Sequence, residues 1–537
     1  MPYSGKSIPP TAGHRPRGAA TPRHRGRVRR LAALALATVA AAGLAPVAAA
    51  SPSAAARPGS SAGIAWSPCP QDATAECGTL SLPVDWDRPD GPRFDLALAR
   101  RTATDPTARV GTLVFGPGGP GDSGVSRVVT GIGRFTDELR RRFDIVSFDP
   151  RGVGRSQPVV CSAELLSAQP SPLLRDQADF DATLAYNRRL RQDCRARTGP
   201  IFDHVDTGSM ARDLDAVRAA LGERRLTYHG SSYGTLLGEQ YAELFPGRVR
   251  AVLLESVVDH SLATRDFLDT QAATAQDSFD QFVAWCTATA SCALHGRDVR
   301  GLWADLMARA GRGELADPKR PSVALTPYTL SVLAQRAFYG PDWAELAETL
   351  AALATGGRPA PLAAPVTGAR EPAVSTSDGT ATAPFPFAVF CQDWALPVRD
   401  YREYAEHLRR MAGIAPDTRY PQALMAMTTC LGAPTPVDNP QHRLRVDTDR
   451  PLLLVNSLHD PASGYNWASN VARQLGTRGV LLTYEGSGHG IYNVSPCMAS
   501  AAERYLVSLE LPAPGARCPE VGPTTAVAGA PGTRARV

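Results

Sequence analysis

"LTYHGSSYGTLLGEQYAELF", residues 226–245, places the pattern Gly-x-Ser-x-Gly between an apolar run and a helical repeat. The apolar run predicts a strand, and apolar residues three and four positions apart after the pattern predict a helix. A serine between them occupies a sharp, strained turn, where only small residues two positions to either side avoid clashes. Such a turn exposes the Ser232 hydroxyl at a helix N-terminus, which favours developing negative charge. Ser232 is therefore the candidate nucleophile.

A second copy of the pattern serves as a comparison within the same chain. Residues 59–63 read GSSAG, but neither a strand pattern nor a helical repeat flanks them. A pattern of five residues recurs easily by coincidence, so its surroundings decide its meaning. Only the copy at Ser232 has the surroundings that the chemistry needs.

Apolar runs and helical repeats alternate on both sides of this stretch. Two amphipathic repeats, at 210–222 and 233–245, predict helices between strands. The runs that predict strands are RFDLALARR (93–101), RVGTLVFG (109–116), RFDIVSFD (142–149), RLTYHGSS (225–232), RAVLLES (250–256), PLLLVNS (451–457) and GVLLTYE (479–485). This alternation predicts an α/β protein with a mostly parallel central sheet and helices on both faces.

A serine nucleophile needs a base, and the base needs an acid to orient it. Asp460 lies in the loop after the strand at 451–457, and His489 lies in a glycine-rich loop after the next strand. Both loops belong to the sheet edge at which the turn of Ser232 is expected. The chain order Ser, Asp, His is the order found in α/β-hydrolases. We therefore predict a catalytic triad of Ser232, Asp460 and His489.

Other titratable residues compete for these roles. Glu255 ends the strand after the nucleophile, where some hydrolases place the triad acid, and His459 lies beside Asp460. We prefer Asp460 as the acid and assign Glu255 to substrate binding or to support of the site. His204 and His229 precede the nucleophile, so the chain order argues against either of them as the base.

The glycine-rich segment GPGGPG, residues 116–121, has two interpretations. It spells Gly-x-Gly-x-x-Gly, the pattern of a dinucleotide-binding loop. Alternatively, its backbone amides stabilise an oxyanion, since a hydrolase of this order takes one donor from the loop after an early strand. Pro117 and Pro120 have no N–H to offer a pyrophosphate, which favours the oxyanion hole. We predict the amides of Gly119 and Tyr233 as its two donors.

The first 56 residues have the features of a secretory signal peptide and leader. A basic segment precedes an apolar run of about 20 residues that contains a glycine and a proline, and small residues follow. A membrane anchor is the alternative, but this run is short and interrupted for a spanning helix. Cleavage after Ala50 or after Ala56 fits equally well, and residues 57–63 are predicted to be a linker. The mature protein is expected to be secreted, without stable insertion in a membrane.

Charge and cysteine content restrict the partners further. The net charge of +5 comes from the leader, whose eight basic residues leave about −3 on the rest, so nothing argues for nucleic acid. Ten cysteines in an exported chain favour disulfides, and we expect sequential pairing, although a sequence cannot fix connectivity. No C-x-x-C or H-E-x-x-H motif suggests a metal, and we expect neither a metal nor a cofactor.

The alternation of strands and helices is interrupted between about residues 260 and 445. That segment begins with helical repeats and later contains a Pro-, Gly- and Ala-rich stretch, residues 355–386, which is predicted to be a loop. Asp393 lies within the insertion, and we assign it to contact with a substrate amine. The predicted domains are an α/β core at 64–259 and 446–515, a mainly helical cap at 260–445, and a disordered tail at 516–537.

Several motifs together resemble the secreted tripeptidyl aminopeptidases of actinomycetes, in the proline-iminopeptidase-like branch of the α/β-hydrolases. They are GPGGPG, FDPRGVGRS (148–156), YHGSSYGT (228–235) and the pair Asp460 and His489, and the resemblance extends over about residues 64–515. It implies an α/β-hydrolase fold with a cap over the cleft, and removal of short peptides from free N-termini by the triad. Pro117 departs from this pattern, since related iminopeptidases have a histidine there.

The predicted chemistry is acyl transfer without a metal or nucleotide. Ser232 attacks a carbonyl, His489 removes and returns the proton, and Asp460 orients the imidazole. The expected substrate is a peptide or a small acyl compound. A secreted carboxylesterase or amidase is the main alternative, followed by a binding protein on an inactive scaffold and, more distantly, a dinucleotide-dependent oxidoreductase. The sequence leaves the oligomeric state open.

Overall fold

Parallel strands form most of the central sheet, as the alternation of apolar runs and helical repeats predicts. The computed structural model describes residues 63–318, 320–356, 374–375 and 381–522. The predicted signal peptide and nearly all of the predicted linker lie outside these residues, as does the chain after residue 522.

The described residues contain fifteen strands, ten of which form the central sheet. They are β1 (Ser67–Cys69), β2 (Asp72–Pro83), β3 (Arg93–Arg101), β4 (Gly111–Gly116), β5 (Phe143–Phe148), β6 (Val160–Ser162), β7 (Leu226–Ser231), β8 (Val249–Glu255), β9 (Ala316–Asp317), β10 (Arg320–Ala324), β11 (Val374–Ser375), β12 (Ala381–Pro384), β13 (Leu452–His459), β14 (Gly479–Ser487) and β15 (Arg517–Cys518). The sheet order is β1-β2-β3-β5-β4-β7-β8-β13-β14-β15. All seven predicted strands are present, whereas the strands of the initial hairpin, β1 and β2, were not predicted.

The helices of the described residues lie on both faces of this sheet and in the segment between β8 and β13. They are α1 (Gly124–Val129), α2 (Asp137–Arg142), α3 (Ala163–Ser167), α4 (Gln177–Thr198), α5 (Thr207–Ala220), α6 (Tyr233–Leu244), α7 (Thr264–Ala288), α8 (Val299–Gly311), α9 (Pro327–Tyr339), α10 (Trp343–Ala354), α11 (Phe387–Asp393), α12 (Tyr401–Ile414), α13 (Ala423–Thr429), α14 (Tyr465–Leu475) and α15 (Pro496–Ser508). Both predicted helices are confirmed as α5 and α6. No helix of the described residues is long and apolar enough to cross a membrane.

Strand direction places the functional loops at one edge of the sheet. Seven strands run parallel to one another, namely β5, β4, β7, β8, β13, β14 and β15, whereas β1 pairs antiparallel with β2, β2 with β3, and β3 with β5. The carboxyl ends of parallel strands meet at the same edge, and ligands of open α/β sheets bind there. The loops after β4, β7, β8, β13 and β14 therefore converge.

Alternate side chains of the central strands pack on opposite faces of the sheet. In β8, Val252 and Leu254 belong to the core under α5, α6 and α14, whereas Ala251 and Leu253 belong to the core under α1, α2 and α15. Burial on both faces explains why the central strands are continuous apolar runs rather than alternating ones. Each run therefore carries little information about which of its side chains faces which helix layer.

The segment between β8 and β13 has apolar cores of its own. Helices α7 to α10 bury one cluster that includes Phe279, Trp303 and Phe338. α11 to α13 pack against α7 in a second cluster. The prediction of a loop over 355–386 is wrong for Val374–Ser375 and Ala381–Pro384, because β12 pairs antiparallel with both β11 and β6. Pairing with a distant strand overrides the low strand propensity of this Pro-rich stretch.

All ten cysteines are paired in sequential order, which confirms the expected connectivity. The disulfides are Cys69–Cys77, Cys161–Cys194, Cys286–Cys292, Cys391–Cys430 and Cys497–Cys518. The Cys497–Cys518 bridge lies partly within the predicted disordered tail, 516–537, so the predicted start of that tail is wrong. Arg517 and Cys518 form β15 at the edge of the main sheet, because the bridge and the pairing with β14 order a segment whose composition alone has no core-forming pattern.

Candidate active site

The turn between β7 and α6 has the geometry predicted for a nucleophile. Ser232 has φ 55° and ψ −123°, a conformation that L-residues adopt at an energetic cost. A Cβ atom at Gly230 would overlap the carbonyl oxygen of Gly234, and one at Gly234 would overlap that of Gly116. The Ser232 N–H donates to the Glu255 carbonyl at 2.8 Å, which fixes the turn to the next strand. The two glycines are thus required by packing, and Ser232 remains partly exposed.

The loops after β13 and β14 bring Asp460 and His489 together. His489 Nδ1 lies 2.9 Å and 3.0 Å from the two carboxylate oxygens of Asp460, and both residues are buried. The N–H groups of Ala462 and Ser463 donate to Asp460 Oδ1 at 2.9 Å each. Because a carboxylate accepts on this side, the imidazole carries its proton on Nδ1, which leaves Nε2 free for the predicted role of base.

Main-chain contacts hold the histidine loop from both sides. The Ser457 hydroxyl donates to the Gly488 carbonyl at 2.6 Å, and the Gly490 N–H donates to Ser256 Oγ at 2.9 Å. The His489 N–H donates to the carbonyl of Tyr339 at 2.9 Å, and the two rings lie 4.9 Å apart. Tyr339 ends α9, so the inserted segment contacts the predicted base directly.

In the described part of the chain, Ser232 Oγ and the His489 ring are not hydrogen-bonded to each other. Catalytic hydrogen bonds are often long or poorly aligned in substrate-free enzymes and tighten when substrate binds. The chain order, the strained turn and the oriented imidazole therefore still favour the predicted pair.

The loop after β4 lies against the predicted nucleophile. A Cβ atom at Gly118 would come within 2.9 Å of Ser232 Cβ and 3.5 Å of Ser232 Oγ. The N–H groups of Gly119 and Tyr233 donate to no described residue, so both are free to bind an oxyanion. This contact with Ser232 favours the oxyanion interpretation over the dinucleotide one.

The FDPRGVGRS motif supports this loop from the neighbouring strand. Asp149 accepts hydrogen bonds from the Ser123 hydroxyl at 2.5 Å, the Val125 N–H at 3.0 Å and the Arg155 N–H at 2.9 Å. Two of these donors stand at the start of α1, directly after the glycine-rich loop. Asp149 thus fixes where that loop ends, whereas Arg151 of the same motif binds Asp213 on α5 and does not contact the loop.

Two family models and several curated proteins match this chain. The model described as alpha/beta hydrolase fold matches residues 111–332, and that described as TAP-like protein matches 418–518. Serine protease Hip1 of Mycobacterium tuberculosis is 32% identical over 487 residues, 85% of this chain and 91% of that protein. Tripeptidyl aminopeptidase of Streptomyces lividans is 31% identical over 481 residues, 84% and 86% of the two chains. Carboxylesterase B of M. tuberculosis is 32% identical over 467 residues, 83% and 86%.

The chain belongs to the tripeptidyl aminopeptidase family of α/β-hydrolases. It is accordingly a serine hydrolase of a peptidase family, and the predicted fold class is confirmed.

Glu255 is completely buried, so its side chain has no exposed surface with which to contact a substrate. Its carboxylate forms an ion pair with Arg134, lies 2.9 Å from His229 Nε2 and accepts the Tyr492 N–H at 2.6 Å. Burial by itself would raise the pKa of Glu255, but Arg134 and His229 hold the pKa of this carboxyl below its ordinary value. Burial lowers the pKa of His229, which is therefore neutral and donates through Nε2.

Asp393 is likewise buried, and protein donors occupy both of its oxygens. The Thr207 N–H and the Asn439 amide donate to Oδ1 at 2.8 Å and 2.9 Å, and the hydroxyls of Thr207 and Tyr233 donate to Oδ2 at 2.6 Å each. No oxygen of this carboxylate is left for a substrate amine. The structure instead connects Asp393 to the side chain of Tyr233, whose amide is a predicted oxyanion donor.

Asp393 and His260 are expected to change stability with pH in opposite directions. Burial raises the pKa of Asp393 from 3.8 to about 7 and lowers the pKa of His260 from 6.5 to about 4. Between about pH 4 and 7 the folded state holds the Asp393 proton that the unfolded chain has released, so its contribution to the free energy of unfolding falls as the pH rises. The His260 contribution is present above pH 6.5 and is lost as the pH falls toward 4, because the unfolded chain binds the proton first.

Urea unfolding of wild type, Asp393→Asn and His260→Asn at several pH values between 4 and 7 measures these contributions. The advantage of wild type over Asp393→Asn should shrink as the pH rises, and its advantage over His260→Asn should grow. Each variant is the control for the other, because the expected slopes have opposite signs. Parallel curves for all three proteins would contradict the expectation.

The other histidines near the site have partners of their own. His459 Nδ1 lies 2.9 Å from Asp277 Oδ2 at a partly exposed position, so it does not compete with His489. His229 Nε2 contacts the buried carboxylate of Glu255, so its ring is likewise engaged away from Ser232. Among the described residues, no group of three or more His, Cys, Asp or Glu side chains is placed to hold a metal ion.

Two residues at the site were missed by sequence reasoning. The Ser463 hydroxyl lies 3.3 Å from Asp460 Oδ2 and 3.5 Å from His489 Nδ1, within reach of both. A serine three residues after an aspartate is typical of an Asx turn, which could have indicated it. Tyr339 has no such signal, because it ends an ordinary amphipathic helix and reaches the site only through tertiary packing.

Replacement of Gly118 should test the contact between the glycine-rich loop and the nucleophile. An alanine Cβ at this position would press on Ser232 Cβ at 2.9 Å, so we expect Gly118→Ala to displace the nucleophile or the loop. Displacement by a fraction of an ångström to one ångström lowers kcat by roughly 10- to 100-fold. Steady-state kinetics on a peptide anilide measures the effect. Gly413→Ala, in α12 with open space around the position, is the control and should keep wild-type kcat; an equal loss in both variants would contradict the expectation.

Proposed function

We propose that this protein is an exported serine aminopeptidase, which releases tripeptides or other short peptides from free N-termini. The observation that carries the proposal is the His489–Asp460 hydrogen bond at the same sheet edge as the strained turn of Ser232. Relatives named serine protease and tripeptidyl aminopeptidase, aligned over most of both chains, support peptide substrates. Five disulfides and the signal-like leader support export.

In the proposed mechanism, His489 Nε2 accepts the proton of the Ser232 hydroxyl as the oxygen attacks the scissile carbonyl. Asp460 keeps the imidazole in the tautomer with its proton on Nδ1 and stabilises the imidazolium that forms. The amides of Gly119 and Tyr233 bind the oxygen that becomes negative. His489 then returns the proton to the leaving amine, and the peptide remains as an ester on Ser232. Water, activated by the same histidine, hydrolyses this acyl-enzyme.

Four features of the site favour this chemistry over simple binding. The proposed nucleophile is strained and partly exposed, the proposed base is oriented by a buried carboxylate, and two amides have no partner in the described part of the chain. The helix α6 starts at Tyr233, so its N-terminus adds a favourable field at the position of the oxyanion. Electrostatic preorganisation of this kind is usually the largest contribution to acyl-transfer catalysis.

The inserted segment supports a restricted cleft rather than an open one. Tyr339 at the end of α9 covers His489, and a Cβ at Gly121 would overlap Pro386, which precedes α11. The glycine-rich loop and the histidine loop therefore both contact inserted residues. Inserted residues against both loops would obstruct the middle of a folded polypeptide more than a chain end, which favours an exopeptidase.

A carboxylesterase is the second candidate function. Carboxylesterase B of M. tuberculosis is also similar to this chain over most of its length, and the same catalytic groups would hydrolyse an ester. The two functions differ in the pocket formed by the inserted segment and not in the triad.

Product analysis separates the two candidates. Purified protein should be incubated with a pool of peptides that have free or acetylated N-termini, and with p-nitrophenyl esters, alongside Ser232→Ala as the blank. The proposal expects tripeptides or other short peptides to be released from free N-termini only, in mass spectra that the Ser232→Ala sample does not reproduce. Hydrolysis of the esters alone would establish the esterase, and cuts within acetylated peptides would overturn the aminopeptidase proposal.

A further inference from the structure

The carboxyl end of β8 lies between the strands that carry the predicted nucleophile and acid. β7 leads to Ser232 on one side, and β13 leads to Asp460 on the other. The carbonyl of Glu255, the last residue of β8, accepts the Ser232 N–H at 2.8 Å. The next residue, Ser256, donates its N–H to the Val455 carbonyl at 2.9 Å. The end of β8 therefore connects the main chains of the nucleophile strand and the acid strand.

The same two residues also hold the loop of the predicted base. The Tyr492 N–H donates to Glu255 Oε1 at 2.6 Å, and the Gly490 N–H donates to Ser256 Oγ at 2.9 Å. These amides belong to the first and third residues after His489. All three segments of the predicted triad are thus bonded to Glu255 and Ser256.

Buried partners hold the Glu255 carboxylate in one orientation. Arg134 forms the ion pair with Glu255 and also donates to Ser231 Oγ at 3.2 Å, while His229 Nε2 lies 2.9 Å from Glu255 Oε2. A buried carboxylate must have its charge and lone pairs satisfied, so these contacts leave little freedom to the oxygen that accepts the Tyr492 N–H.

A second buried ion pair of this chain shows what a merely structural pair looks like. Arg151 and Asp213 are both completely buried and 2.6 Å apart, and their further partners are Trp86 and the carbonyls of Pro83, Val84 and His204. None of these partners belongs to a segment of the predicted triad. The Glu255 pair differs because it contacts segments of the triad: the Glu255 carboxylate accepts the Tyr492 N–H, and Arg134 donates to Ser231 beside the nucleophile.

We propose that Glu255 is a positioning residue that holds the His489 loop in register with Ser232 by accepting the Tyr492 N–H. Glu255 touches neither the substrate nor the reacting atoms, and Arg134 serves to orient it. The inference rests on the proposed triad, because it assigns Glu255 a task only if His489 is the base. It replaces the substrate contact predicted for Glu255 from the sequence.

Two double variants separate the hydrogen bond from the charge. Arg134→Met with Glu255→Gln removes both charges but keeps an oxygen for the Tyr492 N–H. Its amide NH₂ can donate to His229 Nε2, because the His229 proton can move to Nδ1, which has no hydrogen-bond partner. Arg134→Met with Glu255→Met removes both charges and the acceptor, with a side chain of similar length. The comparison therefore removes the acceptor of the Tyr492 N–H together with the contact to His229, and neither variant leaves an unpaired charge at this pair.

The expected result is a difference in kcat and not in KM. The Gln double variant should keep kcat within about threefold of wild type, and the Met double variant should lose roughly 10- to 100-fold, the cost of a small misplacement of the base. The rate of labelling by a fluorophosphonate, which needs the nucleophile and the base but no peptide, should fall in parallel. Arg151→Met with Asp213→Met is the matched control, and should lower the melting temperature while leaving kcat and labelling unchanged.

Equal kcat in the two Glu255 double variants would overturn the proposal, as would an equal loss of kcat in the Arg151 control. If the Met double variant does not fold, Glu255→Asp provides the test. The shorter side chain keeps a negative charge opposite Arg134 but moves its oxygen away from the Tyr492 N–H. A wild-type kcat in Glu255→Asp would therefore also overturn the proposal. Ser232→Ala distinguishes failure of the proposed triad from failure of this inference. If the fluorophosphonate still labels Ser232→Ala, the triad is refuted. If Ser232→Ala loses labelling but the Glu255 variants keep the wild-type labelling rate, only the inference about Glu255 is refuted.

Discussion

Ser232→Ala should abolish catalysis while leaving the protein folded. We expect kcat to fall by roughly 10⁴- to 10⁶-fold, the range in which loss of a serine nucleophile leaves only binding and oxyanion stabilisation. The substitution removes one oxygen from a partly exposed side chain, and the Ser232 N–H still donates to the Glu255 carbonyl. The melting temperature should therefore change by no more than a few degrees. Activity on a peptide anilide and labelling by a fluorophosphonate are the two measurements.

The chain supplies its own control for this variant. Ser61 occupies the same position in the GSSAG copy of the motif, where no strand or helix pattern flanks it. Ser61→Ala should keep wild-type activity and labelling. Labelling that survives in Ser232→Ala and disappears in Ser61→Ala would reverse the assignment of the nucleophile.

Asp460→Asn should cause the second largest loss, about 10⁴-fold in kcat, with a small change in KM. An asparagine can offer its NH₂ group to His489 Nδ1, which favours the tautomer with the proton on Nε2, where the base must be free. Its carbonyl oxygen can still accept the N–H groups of Ala462 and Ser463, so the turn should persist. The loss should therefore be chemical rather than structural, and a pH profile of kcat together with a melting curve measures both.

A matched histidine–aspartate pair lies one residue away. His459 Nδ1 contacts Asp277 at 2.9 Å, the same kind of pair as His489 with Asp460, but at a partly exposed position. Asp277→Asn should change kcat by less than twofold, since an exposed pair of this kind contributes little. Comparable losses in the two variants would mean that Asp460 is not the acid of the triad.

Patterns local in the sequence predicted the parts of the site that local geometry determines. The Gly-x-Ser-x-Gly spacing predicted a turn in which side chains at Gly230 and Gly234 would collide with backbone, and the structure has such a turn. The apolar runs around it predicted the central strands, because burial on both faces requires continuous apolar residues. Chain order then sufficed to single out Asp460 and His489, since parallel strands place their following loops at one edge.

Contacts between distant segments were not predictable in this way. The role inferred for Glu255 depends on Arg134 and Tyr492, which lie 121 and 237 positions away. A glutamate at the end of a strand looks the same whether it faces a substrate or a buried arginine, so the sequence left substrate binding and support of the site as alternatives for Glu255. Tyr339 and the strand at Ala381–Pro384 were missed for the same reason, because each is placed by a partner that is distant in the chain.

The order of the disulfides has a consequence for how the chain matures. Every bridge joins one cysteine to the next along the polypeptide, over 6 to 39 residues, so no loop encloses or crosses another. A chain that emerges N-terminus first can close each loop before the next pair of thiols appears. Oxidation can then follow the direction of synthesis, and a dithiol oxidase alone should suffice for native pairing, without an isomerase to rearrange mispaired bridges.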